Sequence, residues 1–318
     1  MIITKRTLYI CTEFFSEKSK NINKDSNALD VRKTYPNYMM FIPLVVFIIF
    51  FLLPSTIGYV YAFTDWNPYV AKVSFVGLAN FIEIIKNKTL SIAFINTIIF
   101  AIVKTVVVTV LGISIAIALN KKLRTTSALR TIYFFPAVLS ALVVGLIFAA
   151  LFDANNGLVN KILESLGLIN WTQEWLGRRV PALIVINLAE IWRSLGYGIV
   201  ITLAALQSIP SDYLESAKVD GSTGWQTFKW ITLPLIMPAV NVNILFSLIY
   251  GLKMFDLVLI LTRGGPGHDT ETFGTLILSE MARDRYAQSV TVNLVFTIFL
   301  VIVAFAYQKL SKKLEADL

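Results

Sequence analysis

The chain has 318 residues, 56% of them hydrophobic and only 15% charged, with a net charge of +8 and a mean hydropathy of +0.69. Soluble domains carry about 25% charged residues, so this is the composition of a polytopic membrane protein and it argues against a large aqueous domain. One cysteine (Cys11) and one histidine (His268) rule out an intramolecular disulfide and a cysteine metal cluster. They leave almost no material for zinc chemistry or a Ser-His or Cys-His triad, so no metal site and no catalytic residue is expected.

Residues 1–35 are polar, mixed in charge and without helical period. They read as a cytoplasmic tail; a disordered segment and a chain that truly starts at Met39 or Met40 both fit them. The first apolar run starts too late, and is too long, for a cleaved signal peptide. Taking about 20 apolar residues per crossing, six spans follow over residues 36–310: 38–63, with a kink expected at Pro54, then 93–119, 131–152, 181–206, 239–262 and 288–308. The expected fold class is therefore an all-α polytopic membrane protein with six transmembrane helices, and residues 311–318 form a short C-terminal tail. If the N-terminus is inside, the tail, the loops 120–130 and 207–236 and the C-terminus hold sixteen Lys/Arg against nine in the outer loops 64–92, 153–180 and 263–287. Basic residues favour the cytoplasmic side, so both termini are expected there.

Between spans four and five lies a polar stretch, ESAKVDGSTGWQTFKWITLP (215–234). Ile209-Pro210 ends the fourth span, and Ser211 can cap a short helix through about Val219, with Asp212 and Glu215 near its positive end. Gly221 permits a turn with positive φ. A second helix can run from about Ser222 to Leu233, and Pro234 and Pro238 are expected to break it before the fifth span. The result is a cytoplasmic helix-turn-helix over 211–234 with small residues, Ser216 and Ala217, on its tight face. A rigid knob for a partner's cleft and an ordinary connecting loop both satisfy these residues.

Five charges fall inside spans: Lys104 in the second, Glu190 and Arg193 in the fourth, Lys253 and Asp256 in the fifth. Each of the two pairs is spaced i, i+3, so one helical face can carry both members. At about 1.5 Å per residue, Lys104, Glu190 and Lys253 come at similar depths. Charges in a membrane are costly and are usually functional or paired; a polar pathway and internal salt bridges are both open, with salt bridging favoured for Asp256. Asn241, Asn243, Trp192 and Tyr197 are further candidates, since amides can hydrogen-bond a solute and aromatic rings can stack on its apolar faces. In the outer loop GGPGHDT (264–270), His268 is expected to be solvated.

The polar stretch resembles the loop of membrane subunits of binding-protein-dependent ABC importers: Glu-Ala-Ala, three residues, Gly, nine residues, Ile, one residue, Leu-Pro. It stands here as Glu215-Ser216-Ala217, Gly221, Ile231 and Leu233-Pro234, with Ser216 where Ala is usual. GLANF (77–81), Asn96-Thr97, LRTIYFFP (129–136), GLVN (157–160), LAALQSIP (203–210) and TRGGPG (262–267) are similar to the sugar branch of that family, the membrane subunits of maltose and multiple-sugar importers. The resemblance covers most of 38–310. It implies a permease subunit that forms half of a translocation pathway for a sugar or sugar-like solute. Its partners would be a second permease subunit, two cytoplasmic ATP-binding subunits and an extracellular solute-binding protein. The 211–234 hairpin would be the coupling element, with Glu215 meeting a basic residue of the ATPase and Gly221 setting the angle between the helices. Arg130 is similar to the family's basic residue ahead of the third span; positive-inside anchoring also accounts for it. The sequence has no G-x-x-x-x-G-K-[ST] phosphate loop, so ATP is expected to be used by the partner and no cofactor to be bound by this chain. A secondary transporter of small solutes is the alternative; it would predict inverted repeats and no docking loop. A membrane-embedded transferase would need clustered acids, which are not found.

Overall fold

The computed structural model describes residues 38–121 and 125–316; the expected tail over 1–35 lies outside them. The chain divides into two units, Met1–Gly58 and Tyr59–Leu318. In the first, α1 (Tyr38–Phe47) leads through a π turn at Ile48–Leu52 into α2 (Leu53–Tyr61), whose last residues pass into the second unit. Large apolar side chains such as Met40, Phe41, Phe50 and Phe51 are exposed, as lipid contact requires. The expected kink at Pro54 is replaced by the π turn just before it. A proline ring clashes with the carbonyl four residues back, here that of Phe50, and the wider π turn accommodates it.

The second unit follows in order with α3 (Ala79–Lys86), α4 (Lys88–Leu119), α5 (Thr126–Val138), α6 (Ala141–Leu151), α7 (Leu158–Ser165), α8 (Arg179–Gln207), α9 (Ser211–Val219), α10 (Gly224–Thr227), α11 (Leu233–Leu252), α12 (Asp256–Leu261), α13 (Phe273–Ala282) and α14 (Tyr286–Ala316). The described residues contain no β-strand, only an isolated bridge between Thr64 and Phe75. Among the described residues five helical segments are long and apolar enough to span, and α5 with α6, taken as one bent span, supplies a sixth.

α4 is the central mast, and three apolar clusters are strung along it. Ala93 near its start packs with Phe273, Leu276 and Phe296. Phe100 packs with Val144, Ile186 and Leu257. Ala116 and Leu119 at its end pack with Ile199, Leu203 and Ile236. Membrane helices approach closely where side chains are small, and glycines mark both crossings. A Cβ on Gly112 would stand 3.2 Å from the backbone of Gly198 on α8, and one on Gly251 of α11 would stand 2.7 Å from the Cα of Ala101.

Three expectations are corrected. The third span is not straight: α5 and α6 meet at 98°. Pro136 removes a backbone donor near the end of α5, while Ser140, in extended backbone, starts α6 afresh by accepting from the Val143 N–H at 3.3 Å. Pro234 and Pro238 do not break the chain before the fifth span. The helix runs from Gly224 through a π turn at Phe228–Thr232 into α11 without interruption. The device is that of the first helix: Trp230, the residue whose carbonyl Pro234 would strike, lies in the π turn. The real break falls later, at Lys253–Phe255. Finally, residues assigned to the tail from 311 onward begin inside α14, which continues to Ala316.

Candidate functional site

Between α4, α5, α8 and α11 lies a cavity of about 380 Å³ lined by Lys104, Glu190, Arg193, Tyr197, Asn243 and Tyr250, with Ala137, Ser194, Ile201, Phe246 and Ser247 completing the wall. Its electrostatic centre is Glu190, which is buried along with Lys104. Lys104 Nζ donates to Glu190 Oε1 at 2.6 Å. Arg193 donates through Nε at 3.1 Å and Nη2 at 2.7 Å to Oε2. Ser194 Oγ donates to Oε1 at 2.9 Å. The Lys104 ammonium also lies 5.4 Å from the centroid of the Tyr250 ring, within cation–π range. The helical spacing explains how these groups meet: Glu190, Arg193 and Ser194 occupy i, i+3 and i+4 of α8. The Gly112–Gly198 and Gly251–Ala101 crossings press α8 and α11 onto the face of α4 that carries Lys104.

Of the five in-span charges, the fold brings three together and leaves two apart. Lys253 and Asp256 are exposed and line no part of the cavity. Lys253 is the residue at which α11 stops, and Asp256 opens α12; neither makes an ion pair among the described residues. Their i, i+3 spacing places no shared face on one helix because the helix ends between them. Tyr197 and Asn243 reach the cavity. Trp192 packs against Phe148, ring centroids 5.8 Å apart, and the Asn241 carbonyl accepts from Tyr307 Oη. Sequence reasoning missed Ser194, Ser247 and Tyr250. The first could have been found four residues after Glu190; the others carry no local signal, because only tertiary packing sets them opposite Lys104.

The polar hairpin is built by its turn. α9 ends in paired bonds, Ser222 N–H to Ala217 O at 3.0 Å and Gly221 N–H to Lys218 O at 3.1 Å, the Schellman arrangement. Gly221 has φ +75°, a conformation that glycine adopts without strain. Thr223 then caps α10 in a capping box with Gln226. Two details differ from expectation. Ser211 is the first residue of α9 rather than its cap, a place held by Pro210. Ala217 is buried while Ser216 and Glu215 face outward, so the small residues do not share a face. Around them the hairpin exposes Tyr213, Val219, Trp225 and Trp230, and Ile231, Leu233 and Pro234 lie half-buried where it joins α11.

Two outlying residues are also placed. Arg130 lines a separate cleft between α5 and α8 with Tyr133, Leu203 and Gln207. His268 is partly exposed, its side chain 38% accessible, and is bonded as well. Its Nε2 accepts from Arg283 Nη2 at 2.9 Å, which leaves Nδ1–H to donate to the buried Glu271 at 2.9 Å. The same loop is tied to the mast by Asn96, whose Nδ2 donates to the carbonyls of Asp269 and Glu271, both at 2.9 Å.

Comparison with known proteins matches residues 108–315 to the family described as "Binding-protein-dependent transport system inner membrane component". The multiple sugar-binding transport system permease protein MsmF of Streptococcus mutans is 33% identical over 292 residues, covering 90% of this chain and 100% of the relative. The trehalose/maltose transport system permease protein MalF of Thermococcus litoralis is 27% identical over 296 residues, 91% and 98% of the two chains. Among solved structures, a bacterial ABC transporter involved in the import of the acidic polysaccharide alginate superimposes with a TM-score of 0.77 at 23% identity, covering 89% of this chain and 97% of that one.

Proposed function

This chain belongs to the family of binding-protein-dependent transport system inner membrane components, and from that premise we propose that it forms half of the pathway by which a sugar or sugar-like solute enters a bacterial cell. It is a membrane-embedded permease subunit. We infer that a second permease subunit completes the pathway, that two cytoplasmic ATP-binding subunits drive it, and that an extracellular solute-binding protein delivers the substrate. In this reading both termini are cytoplasmic, ATP is used by the partners, and this chain holds no cofactor.

One observation carries the coupling role. The helix that begins in the exposed hairpin at Gly224 runs without a break to Leu252, a rise of about 40 Å at 1.5 Å per residue, and brings Asn243, Ser247 and Tyr250 to the cavity wall. The other arm joins the same two places, since α8 carries Glu190 and Arg193 and leads through Ile209-Pro210 into α9. Force applied to the hairpin by closing ATP-binding subunits would therefore be transmitted to the cavity by two stiff connections. Glu215, exposed beside Ser216 on α9, is the acid that would meet a basic residue of the ATPase.

The test is Gly221→Pro in the reconstituted importer with its permease partner, ATP-binding subunits and binding protein. Proline cannot adopt φ +75° and has no N–H for the Lys218 carbonyl. Substrate-stimulated ATP hydrolysis should fall at least about tenfold while the complex still assembles. Undiminished stimulation would overturn the coupling role of residues 211–234.

A further inference from the structure

Among the charged groups of the cavity the hydrogen-bonding capacity is lopsided. Glu190 is the only carboxylate in the cavity wall among the described residues, and it accepts from Lys104, twice from Arg193, and from Ser194. Those four bonds fill the lone-pair sites of a carboxylate. The donors are not used up. Arg193 has five N–H groups and gives two to Glu190, and its side chain is 28% exposed. Lys104 gives one of three. Asn243 Nδ2 is buried with no hydrogen-bond partner among the described residues. The charges are equally uneven, for Lys104 and Glu190 cancel and Arg193 remains, leaving the wall at +1.

A buried donor left unmet, as Asn243 Nδ2 is, costs free energy until something accepts from it, and a cation within a membrane calls for a partner. We propose that this cavity is specific for an anionic solute, a sugar or polyol bearing a carboxylate or phosphate group. Arg193 binds the anionic oxygens through its free N–H groups, as a planar guanidinium is suited to do. Asn243 Nδ2 donates to a further oxygen, and the rings of Tyr250 and Phe246 offer faces for the carbon skeleton. Glu190 is then a positioning residue: it fixes Arg193 on the wall but has no lone pair left for a sugar hydroxyl. The inference rests on the cavity being part of the transport pathway.

The test reads the charge of the cavity directly. In the assembled importer, with Cys11→Ser and cysteine-free partners, Ala137→Cys places a thiol on the cavity wall. Its labelling rates with anionic methanethiosulfonate ethylsulfonate and with the cationic trimethylammonium reagent are compared, each normalised to a free thiol. The anionic reagent should be favoured about fivefold or more, as expected for one unit charge on the wall of the same cavity. Arg193→Gln should abolish the preference and Arg193→Lys retain it, which separates lost charge from a misfolded wall. Glucuronate and glucose 6-phosphate should slow labelling, and glucose at the same concentration should not; protection by one anion alone would assign the carboxylate or the phosphate. Equal rates for the two reagents, a cationic preference, or equal protection by glucose would overturn the proposal while leaving the pathway intact. Labelling by neither reagent would overturn the pathway and the proposal together.

Discussion

The long helix from Gly224 to Leu252 is crowded at one end and bare at the other. Near its C-terminus Gly251 is pressed against the backbone of α4, and Asn243 and Ser247 are buried. Near its N-terminus Trp225 and Trp230 stand 70% exposed. Large aromatic side chains do not stay in water without a reason, since burying each removes well over a hundred Å² of apolar surface. The difference separates two ends of one element: the cavity end is stabilised within the chain, and the hairpin end, on the coupling role proposed above, is left for another protein.

Substitutions can break that contrast or sharpen it. The largest effect should come from Glu190→Leu, which leaves Lys104 and Arg193 facing each other without their anion. Removing one member of a buried pair costs about 3–5 kcal/mol. The chain should lose several degrees of thermal stability in nanodiscs, and the double variant with Lys104→Met should regain much of it. If the single variant melts like the wild type, the cavity end is not held by its charges. Next is Gly251→Val, whose Cβ would meet the Ala101 backbone. Overpacking costs about 1–3 kcal/mol, and the same melting assay should show it. The smallest effect on stability should follow Val219→Ser with Trp225→Ala, within about 0.5 kcal/mol as for surface sites. Binding to the ATP-binding subunits should nevertheless weaken about tenfold, as the loss of an interface aromatic does. A melting loss without a binding loss would reverse the assignment of the two ends.

Much of this was legible in the sequence. The spans could be read because about 20 apolar residues in a row have few alternatives, and the hairpin because Gly221 and the spacing around it have a local cause. What escaped depended on partners far away in the chain. Pro136 and Pro234 look alike as letters, yet one lies beside a break and the other inside a continuous helix. Ser140 can restart a helix after the first, whereas the π turn before the second absorbs its ring. The sequence put Lys104, Glu190 and Lys253 at similar depths, but depth is only one coordinate. In spans that are apolar all round, nothing marks which way a charge faces, and Lys253 proved to sit at a helix end away from the cavity. His268 was expected in solvent and is partly exposed; what the loop composition did not show is its bond to the buried Glu271, in a loop that Asn96, more than 170 residues earlier, ties down.

The ion pair of Lys104 with Glu190 also sets a timetable for synthesis. The two residues are 86 positions apart, so at about 5–20 residues per second the lysine is made roughly 4–17 seconds before its acid. During that interval the second span carries an unneutralised ammonium, whose insertion near a helix centre costs about 2.5–3.5 kcal/mol on the translocon scale. The ribosome-bound chain should therefore hold its second span incompletely committed to the bilayer until the fourth emerges. Nascent chains stalled before and after residue 190, compared by accessibility of a cysteine placed beside Lys104, should show the span settling only in the longer one.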